Sequence, residues 1–318
     1  MRKAVSLPAM LLSALLAASA AQAQQTTLAE QERPADDCGP LAAAANVLLW
    51  PVPQKPFHIA GPLYYVGTKG LASYLFSTSD GLILLNTGGR TSGPMIAQSI
   101  KTLGFDPKDI RIIINGHGHF DHAGGFAYIK KLSGAELAIM EGDVAIIKDG
   151  GRSDFHYGKY WPLAGQRAVD VDRVLKKRKN GDPVTLGNVT LTAFNTPGHT
   201  LGATTWVTDI VEGGKTYHVV FPDGAGVNPG YHLTGDKAEY PGIADDFRDT
   251  HRFLATLRPD MWFAFHTDQF DFRGKYARMA KEGAAVWVDP KGYRQFIASK
   301  KRALDEKIAR EGGAKPKL

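Results

Sequence analysis

Between Ile112 and Gly125 the chain reads IIINGHGHFDHAGG, and four side chains able to hold a metal fall within six residues: His117, His119, Asp121 and His122. The three isoleucines predict a short strand buried on both faces, broken at Asn115-Gly116. In an extended segment residues i and i+2 point the same way, so His117 and His119 can grip one ion from one side. Asp121 and His122 lie past the bend and face a second position beside the first. Neutral imidazole and carboxylate are ligands for zinc, and a tight loop at a strand end fixes their directions. The bland alternative is a polar loop that happens to carry histidines. With 10 His in 318 residues, three of them beside an Asp in one hexapeptide argue against it.

Two distant histidines share this context. His199 follows a strand-like run through Thr196-Pro197-Gly198, and His266 ends the run Trp262-Phe263-Ala264-Phe265. Either alone reads as a capping or surface histidine. Loops at strand ends on one edge of a fold can converge, and with four ligands already in hand both are candidates for the same centre.

Several elements must position these residues. Strand patterns cover Leu63 to Val66, Ala72 to Ser77 and Leu82 to Asn86, the last two joined at an Asp80-Gly81 hairpin turn. Met95 to Leu103 has helical apolar spacing, the buried strand to His117 follows, and a helix runs from about Gly125 to Leu132. Leu137 to Met140 is a strand, with a short helix to Lys148. Gly150 to Ala164 is a long loop carrying Phe155, His156, Tyr157, Tyr160 and Trp161, which could wall a substrate or simply pack. Val184 to Asn195 alternates as a hairpin about Gly187-Asn188, and strands at Thr204 to Ile210 and Tyr217 to Phe221 join at Gly213-Gly214. A helix from about Ile243 to Leu257 precedes the Trp262 strand. Two helices follow, the last from about Tyr293 to Arg310. Two strand-rich halves, each flanked by helices and with no compositional break between them, predict an α/β (α+β) fold, a four-layer αβ/βα sandwich.

The N-terminus reads differently. Arg2-Lys3, an apolar run from Ala4 to Ala20 and Ala21-Gln22-Ala23 form a secretory signal peptide over 1–23, with cleavage leaving Gln24 first. Residues 24–56 read as an N-terminal arm with a short helix from Gly39 to Leu49, and 57–318 as a single domain. The expected product is exported to a periplasm, monomeric and without stable membrane association, since no later stretch is apolar enough to span a bilayer. Hydrophobic residues make up 43% of the chain, ample for a large core. The formal charge of +6 is scattered apart from Lys176 to Lys179 and the tail from Lys300, and no aromatic interleaving suggests nucleic acid. Cys38 is the only cysteine, so no internal disulfide is expected and no thiol chemistry is assigned.

With these residues in view, the sequence resembles the metallo-β-lactamase superfamily. The resemblance rests on His117-Gly118-His119-Phe120-Asp121-His122, Thr196-Pro197-Gly198-His199-Thr200 and His266 at a late strand end. Within the superfamily it is most similar to subclass B3, through Trp50 with Pro56-Phe57, Tyr64-Tyr65-Val66-Gly67, Gly150-Gly151-Arg152, Asn228-Pro229-Gly230-Tyr231, and Tyr240-Pro241 before Asp245-Asp246-Phe247-Arg248. It covers nearly the whole chain after the signal segment. The resemblance implies two zinc ions per chain, one held by His117, His119 and His199 and the other by Asp121, His122 and His266. It implies hydrolysis of the β-lactam amide bond of a small-molecule antibiotic by a metal-bound hydroxide, which Asp121 helps to orient, and so antibiotic resistance. No serine nucleophile is needed, and Ser-x-x-Lys does not occur.

The sequence departs from the family pattern at three points. Asn86 stands where an Asp is common after the Leu82 strand, which bears on the outer shell of the centre. Asp223-Gly224-Ala225-Gly226 lacks the serines that often bind a substrate carboxylate, so the substrate-binding residues are unassigned. Asp223 itself stands where thioesterase-like relatives place a metal-bridging Asp; in the β-lactamase reading it merely ends a strand and shapes the turn into Gly224. The hexapeptide is shared by lactonases and thioesterases, so a lactone or thioester hydrolase is the alternative, and a non-catalytic metal-binding module is a third reading.

Overall fold

The computed structural model describes residues 48–161 and 165–312. The signal segment, Cys38 and most of the arm lie outside the described residues. From Trp50 onward the chain forms one compact unit.

Two sheets make its centre. The first holds β1 (Phe57–Ala60), β2 (Leu63–Tyr65), β3 (Tyr74–Thr78), β4 (Gly81–Leu85), β5 (Ile110–Ile114), β6 (Glu136–Met140) and β7 (Arg173–Leu175), side by side in that order. The second runs β12-β11-β10-β9-β8, from β8 (Asp182–Leu186), β9 (Val189–Asn195), β10 (Thr204–Glu212), β11 (Lys215–Phe221) and β12 (Met261–Trp262). Hairpins give antiparallel pairs through β1 to β4 and β8 to β11, whereas β4 to β7 are parallel, with helical segments in the β4–β5 and β5–β6 crossovers.

The isoleucine run explains itself in this frame. Side chains alternate across a strand. Ile112 and Ile114 therefore join the core between the sheets and Ile113 faces the opposite side; a shift in the β4–β5 register between Ile110 and Ile112 puts Ile110 on the side of Ile113 as well. There they meet α1 (Ser92–Thr102), through Ile96 and Ile100, and α3 (Phe126–Ser133), through Phe126 and Ile129. Between the sheets, Tyr74 and Phe76 of β3 meet Phe221 of β11 at ring-centroid distances of 4.9 and 5.9 Å. The second sheet is covered by α5 (Ile243–Thr256), whose Phe253 packs on Phe194, and by α7 (Pro290–Arg310), whose Tyr293 and Phe296 pack on Trp262. The layers are those of the expected αβ/βα sandwich. Helices α2 (Phe120–Ala123), α4 (Val144–Asp149) and α6 (Phe272–Glu282) complete the set among the described residues.

Three details differ from the sequence reading. β1 and β7 were not anticipated; each is a short strand at the sheet margin. The late strand is only Met261–Trp262, not Trp262 to Phe265. After Trp262 the chain leaves the second sheet for the first: Ala264 O accepts from Tyr74 Oη at 2.7 Å, Phe265 O accepts from Ala72 N at 2.9 Å, and Leu71 bridges to His266. That crossing carries His266 to the edge where β5 ends.

Candidate metal centre

β5 ends at Ile114, and the turn that follows is held by the other sheet. Trp206 Nε1 donates to Asn115 O at 2.7 Å, and Thr204 N donates to Gly116 O at 2.7 Å. Gly116 must lack a side chain, since a Cβ there would lie 2.2 Å from Asp223 Oδ2 and 2.3 Å from the Phe265 ring. His117 and His119 follow in the loop, and Asp121 and His122 sit on α2.

The structure brings all six sequence-predicted residues together. The candidate ligand atoms of His117, His119 and His199 lie within 4.8 Å of one another, and so do those of His117, Asp121 and His122. His266 joins through Asp121, whose Oδ2 lies 3.4 Å from both His266 Nε2 and His122 Nε2. His117 stands between the two groups, its ring centroid 4.4 Å from that of His199 and 4.2 Å from that of His122.

Each of three rings has its outer nitrogen committed to an acceptor. His117 Nδ1 donates to Asp223 Oδ2 at 2.7 Å, His119 Nε2 to Asp154 Oδ2 at 3.1 Å, and His199 Nδ1 to Gly226 O at 2.6 Å. A proton fixed on one nitrogen leaves the other with its lone pair turned inward, the usual way a ligating histidine is oriented. His117 Nε2 and His122 Nε2 are buried and have no hydrogen-bond partner. Buried polar atoms are nearly always satisfied, so two orphans facing a cluster of neutral donors and one carboxylate fit a bound cation.

The electrostatics agree. Burial, then the neighbouring imidazoles, hold His117 well below the usual histidine range; burial lowers His199 to about 4 and lowers His266 too. These rings are neutral at neutral pH, as ligands must be. Burial alone would lower His119, but the Asp154 carboxylate outweighs it and raises the ring. Burial likewise opposes ionisation of Asp121, yet the imidazoles around it keep its carboxyl well below the usual range.

Residues to which the sequence assigned no part in the centre, and others it named without this role, hold the loops. Asp143, between β6 and α4, is 1% exposed. Its Oδ2 accepts from Gly118 N at 2.7 Å and Thr200 Oγ1 at 2.8 Å, and its Oδ1 accepts from Gly202 N at 2.7 Å. One carboxylate thus ties the His117–His119 loop to the His199 loop. Burial raises it to about 6 against those three bonds. Asp154 also accepts from His156 N and Tyr157 N, so it orders the start of the long loop while holding His119. Tyr231 donates through its hydroxyl to His199 O at 2.8 Å. Asp223 corrects the sequence reading: beyond capping Gly224 N at 2.7 Å, it positions His117. Its Oδ2 bonds the outer nitrogen of that ring, on the side away from the unpartnered Nε2.

Aromatic rings border the centre. Trp50 lies 5.6 Å from His266 and 6.1 Å from Phe120, and Tyr157 lies 5.1 Å from His119, between ring centroids. Tyr160 and Trp161 in the same loop as Tyr157 are exposed.

A two-sheet sandwich with neutral imidazoles and a carboxylate gathered at the end of β5 defines a class of metal-dependent hydrolases, and residues 67–210 match the family model of the metallo-beta-lactamase superfamily. The chain belongs to that superfamily. Among solved structures it is similar to the native FEZ-1 metallo-beta-lactamase from Legionella gormanii, with 40% identity and a TM-score of 0.79 over 83% of this chain and 99% of that one. It is also similar to LRA-12, a class B3 di-zinc metallo-beta-lactamase from an Alaskan soil metagenome, with 32% identity and a TM-score of 0.76 over 81% and 96% of the two chains. A probable metallo-hydrolase of Burkholderia pseudomallei is 30% identical over 119 residues. That match spans 37% of this chain and 38% of the relative.

Proposed function

We propose that this protein is a zinc-dependent β-lactamase that opens the amide bond of β-lactam antibiotics and thereby confers resistance. The observation that carries the reading is the six-donor centre with two buried, unpartnered imidazole nitrogens, in a chain 40% identical to FEZ-1 over nearly all of the latter. His117, His119 and His199 would hold one zinc, and Asp121, His122 and His266 the other. Bound there, zinc supplies a Lewis acid for a carbonyl and lowers the pKa of water to about 7.

The chain's own residues do the rest. Asp223, Asp154 and Gly226 O hold protons on the outer nitrogens of three rings, so their inner nitrogens stay free to ligate. Asp121, ionised and 3.4 Å from both His122 Nε2 and His266 Nε2, orients the attacking water as the catalytic carboxylate. Trp50 and Phe120 on one flank and Tyr157 on the other offer apolar walls to a small bicyclic substrate. Asp223 turns its carboxylate to His117 Nδ1 rather than between the two positions, which supports the lactam reading over a thioesterase-like one. The signal-peptide reading places the enzyme in the periplasm, with Gln24 as its first residue and a monomer as the working unit.

One experiment tests this. A periplasmic fraction should hydrolyse a carbapenem and a chromogenic cephalosporin, lose activity with dipicolinate or EDTA, regain it with zinc, and yield protein starting at Gln24. Turnover of a lactone or thioester with none of either lactam would overturn the β-lactamase reading. Chelator-insensitive turnover would overturn the metal.

A further inference from the structure

Behind His122, donors and acceptors do not match. Asn86, at the end of β4, is fully buried and holds a left-handed backbone at φ 65°, which asparagine tolerates better than most residues. Two groups face its amide. Gly116 N donates to Asn86 Oδ1 at 2.9 Å, and this turns Asn86 Nδ2 toward His122 Nδ1 at 3.1 Å. The Gly116 N–H can only donate. As the structure stands, the Asn86 amide donates to His122 Nδ1, which puts the His122 proton on Nε2.

That is the wrong nitrogen for a metal ligand. His122 Nε2 is the atom that faces Asp121, 3.4 Å from its Oδ2. A neutral imidazole that gives Nε2 to a cation carries its proton on Nδ1. Nδ1–H would then meet the Asn86 amide donor to donor. Turning the amide over moves the conflict without removing it: the oxygen accepts from Nδ1–H, and the NH2 faces the Gly116 N–H. One amide oxygen cannot serve donors on two sides. Backbone bonds hold the neighbours in place, Asn86 N to Ile114 O at 2.8 Å and Thr87 N to His122 O at 2.8 Å. In contrast, His117, His119 and His199 each donate to an oxygen that accepts.

We propose that Asn86 sets the order in which the centre fills, weakening the Asp121/His122/His266 position so that the His117/His119/His199 position loads first. This rests on the two-zinc reading above. The protein then passes through a one-zinc form at low free zinc and takes the second ion only when zinc is plentiful. Asn86 is a positioning residue of unusual sign: it acts against the ligand it touches. An aspartate in its place would accept from Gly116 N–H with one oxygen and from His122 Nδ1–H with the other.

The test is a zinc titration of the metal-free chain at neutral pH against a competing chelator, with bound ions counted by native mass spectrometry. The wild type should show two separated steps. Asn86→Asp should tighten the second step by about 10-fold or more, the scale of outer-shell effects, and leave the first unchanged. Asn86→Gly provides a second arm, since glycine accepts the left-handed backbone and removes the opposing donor. It should tighten the second step less than Asn86→Asp does. An ordinary supporting residue would show the reverse, a weaker second step on removal, and that result in Asn86→Gly overturns the proposal. An unchanged second step in a folded Asn86→Asp also overturns it. A wild type that binds no zinc, or one whose two steps survive His122→Ala, overturns the metal-centre reading itself.

Discussion

At the scale of single residues, the proposed ligand set was legible because four of its six members announce themselves locally and bring the other two into view. His117, His119, Asp121 and His122 fall in one hexapeptide, and with them in hand His199, beside a Pro-Gly turn, and His266, after a strand-like run, become candidates. What was not legible is the set of acceptors behind them, because the pairs are distant in sequence: His117 with Asp223, His119 with Asp154, His199 with Gly226 O. No spacing rule finds a contact made only by the fold. Asp223 shows the difference most clearly, since the sequence offered it either as the end of a strand or as a metal bridge and not as the partner of His117 Nδ1. Asp223→Ala should weaken zinc at the His117 position and lower turnover, each by about 10–100-fold. Asp223→Asn leaves one amide oxygen for two donors, His117 Nδ1–H and Gly224 N–H, so it should lose less than Asp223→Ala, with the oxygen serving His117 and the NH2 facing Gly224 N. Asp121→Asn, by comparison, removes an ionised ligand and should lose the second zinc and nearly all turnover. Zinc content and lactam hydrolysis measured side by side check all three. A loss in Asp223→Asn as large as in Asp223→Ala would show that one amide oxygen does not serve His117 in place of the carboxylate.

At the scale of elements, long alternating or periodic runs were readable, and short margin strands were not. β4 buries both faces from Leu82 to Leu85 and β5 from Ile112 to Ile114, so each shows an apolar run that can be read. β7 has only Arg173, Val174 and Leu175 and joins the sheet at the parallel register Ile139 to Val174. Three residues with one charge carry no pattern to read. The converging loops depend on a clamp that no local signal marks. Asp143 reaches Gly118 in one ligand loop and Thr200 and Gly202 in the other, and Gly202 lies so close that a Cβ would stand 2.4 Å from Asp143 N. Asp143→Ala would strand buried donors on both loops, each costing about 1–3 kcal/mol. Thr200→Val removes one partner and should cost about a third as much. The rise in melting temperature on adding zinc should also shrink in Asp143→Ala, because the loops are no longer fixed relative to each other. Differential scanning fluorimetry with zinc and with chelator measures both effects. An unchanged zinc-induced rise would mean the clamp serves folding alone.

At the scale of the whole molecule, the sandwich was legible from the count and grouping of strands, and its stability depends on groups far from any sequence motif. His251 is one. It lies on α5, buried, donating from Nε2 to Ala225 O at 3.0 Å while Nδ1 has no partner. Burial lowers its pKa from 6.5, the Ala225 carbonyl opposes that, and Lys301 on α7 lowers it further. The folded state therefore binds its proton less readily than the unfolded chain. As pH falls below 6.5 the unfolded chain takes up a proton that the folded one still refuses, and stability is lost until pH passes the folded value. Within that window the loss is at most about 1.4 kcal/mol per pH unit, or about 2–4 °C in melting temperature per kcal/mol for a chain of this size. Burial lowers His117, His199 and His266 as well, so a single pH profile cannot isolate His251. Comparison with His251→Gln can, since glutamine keeps a donor for Ala225 O and does not titrate. The melting-temperature difference between wild type and His251→Gln should be steady at alkaline pH and shift against the wild type as pH drops through the window. Parallel profiles across the whole range would show that the buried Nδ1 finds a partner when protonated, and that His251 contributes nothing to acid sensitivity.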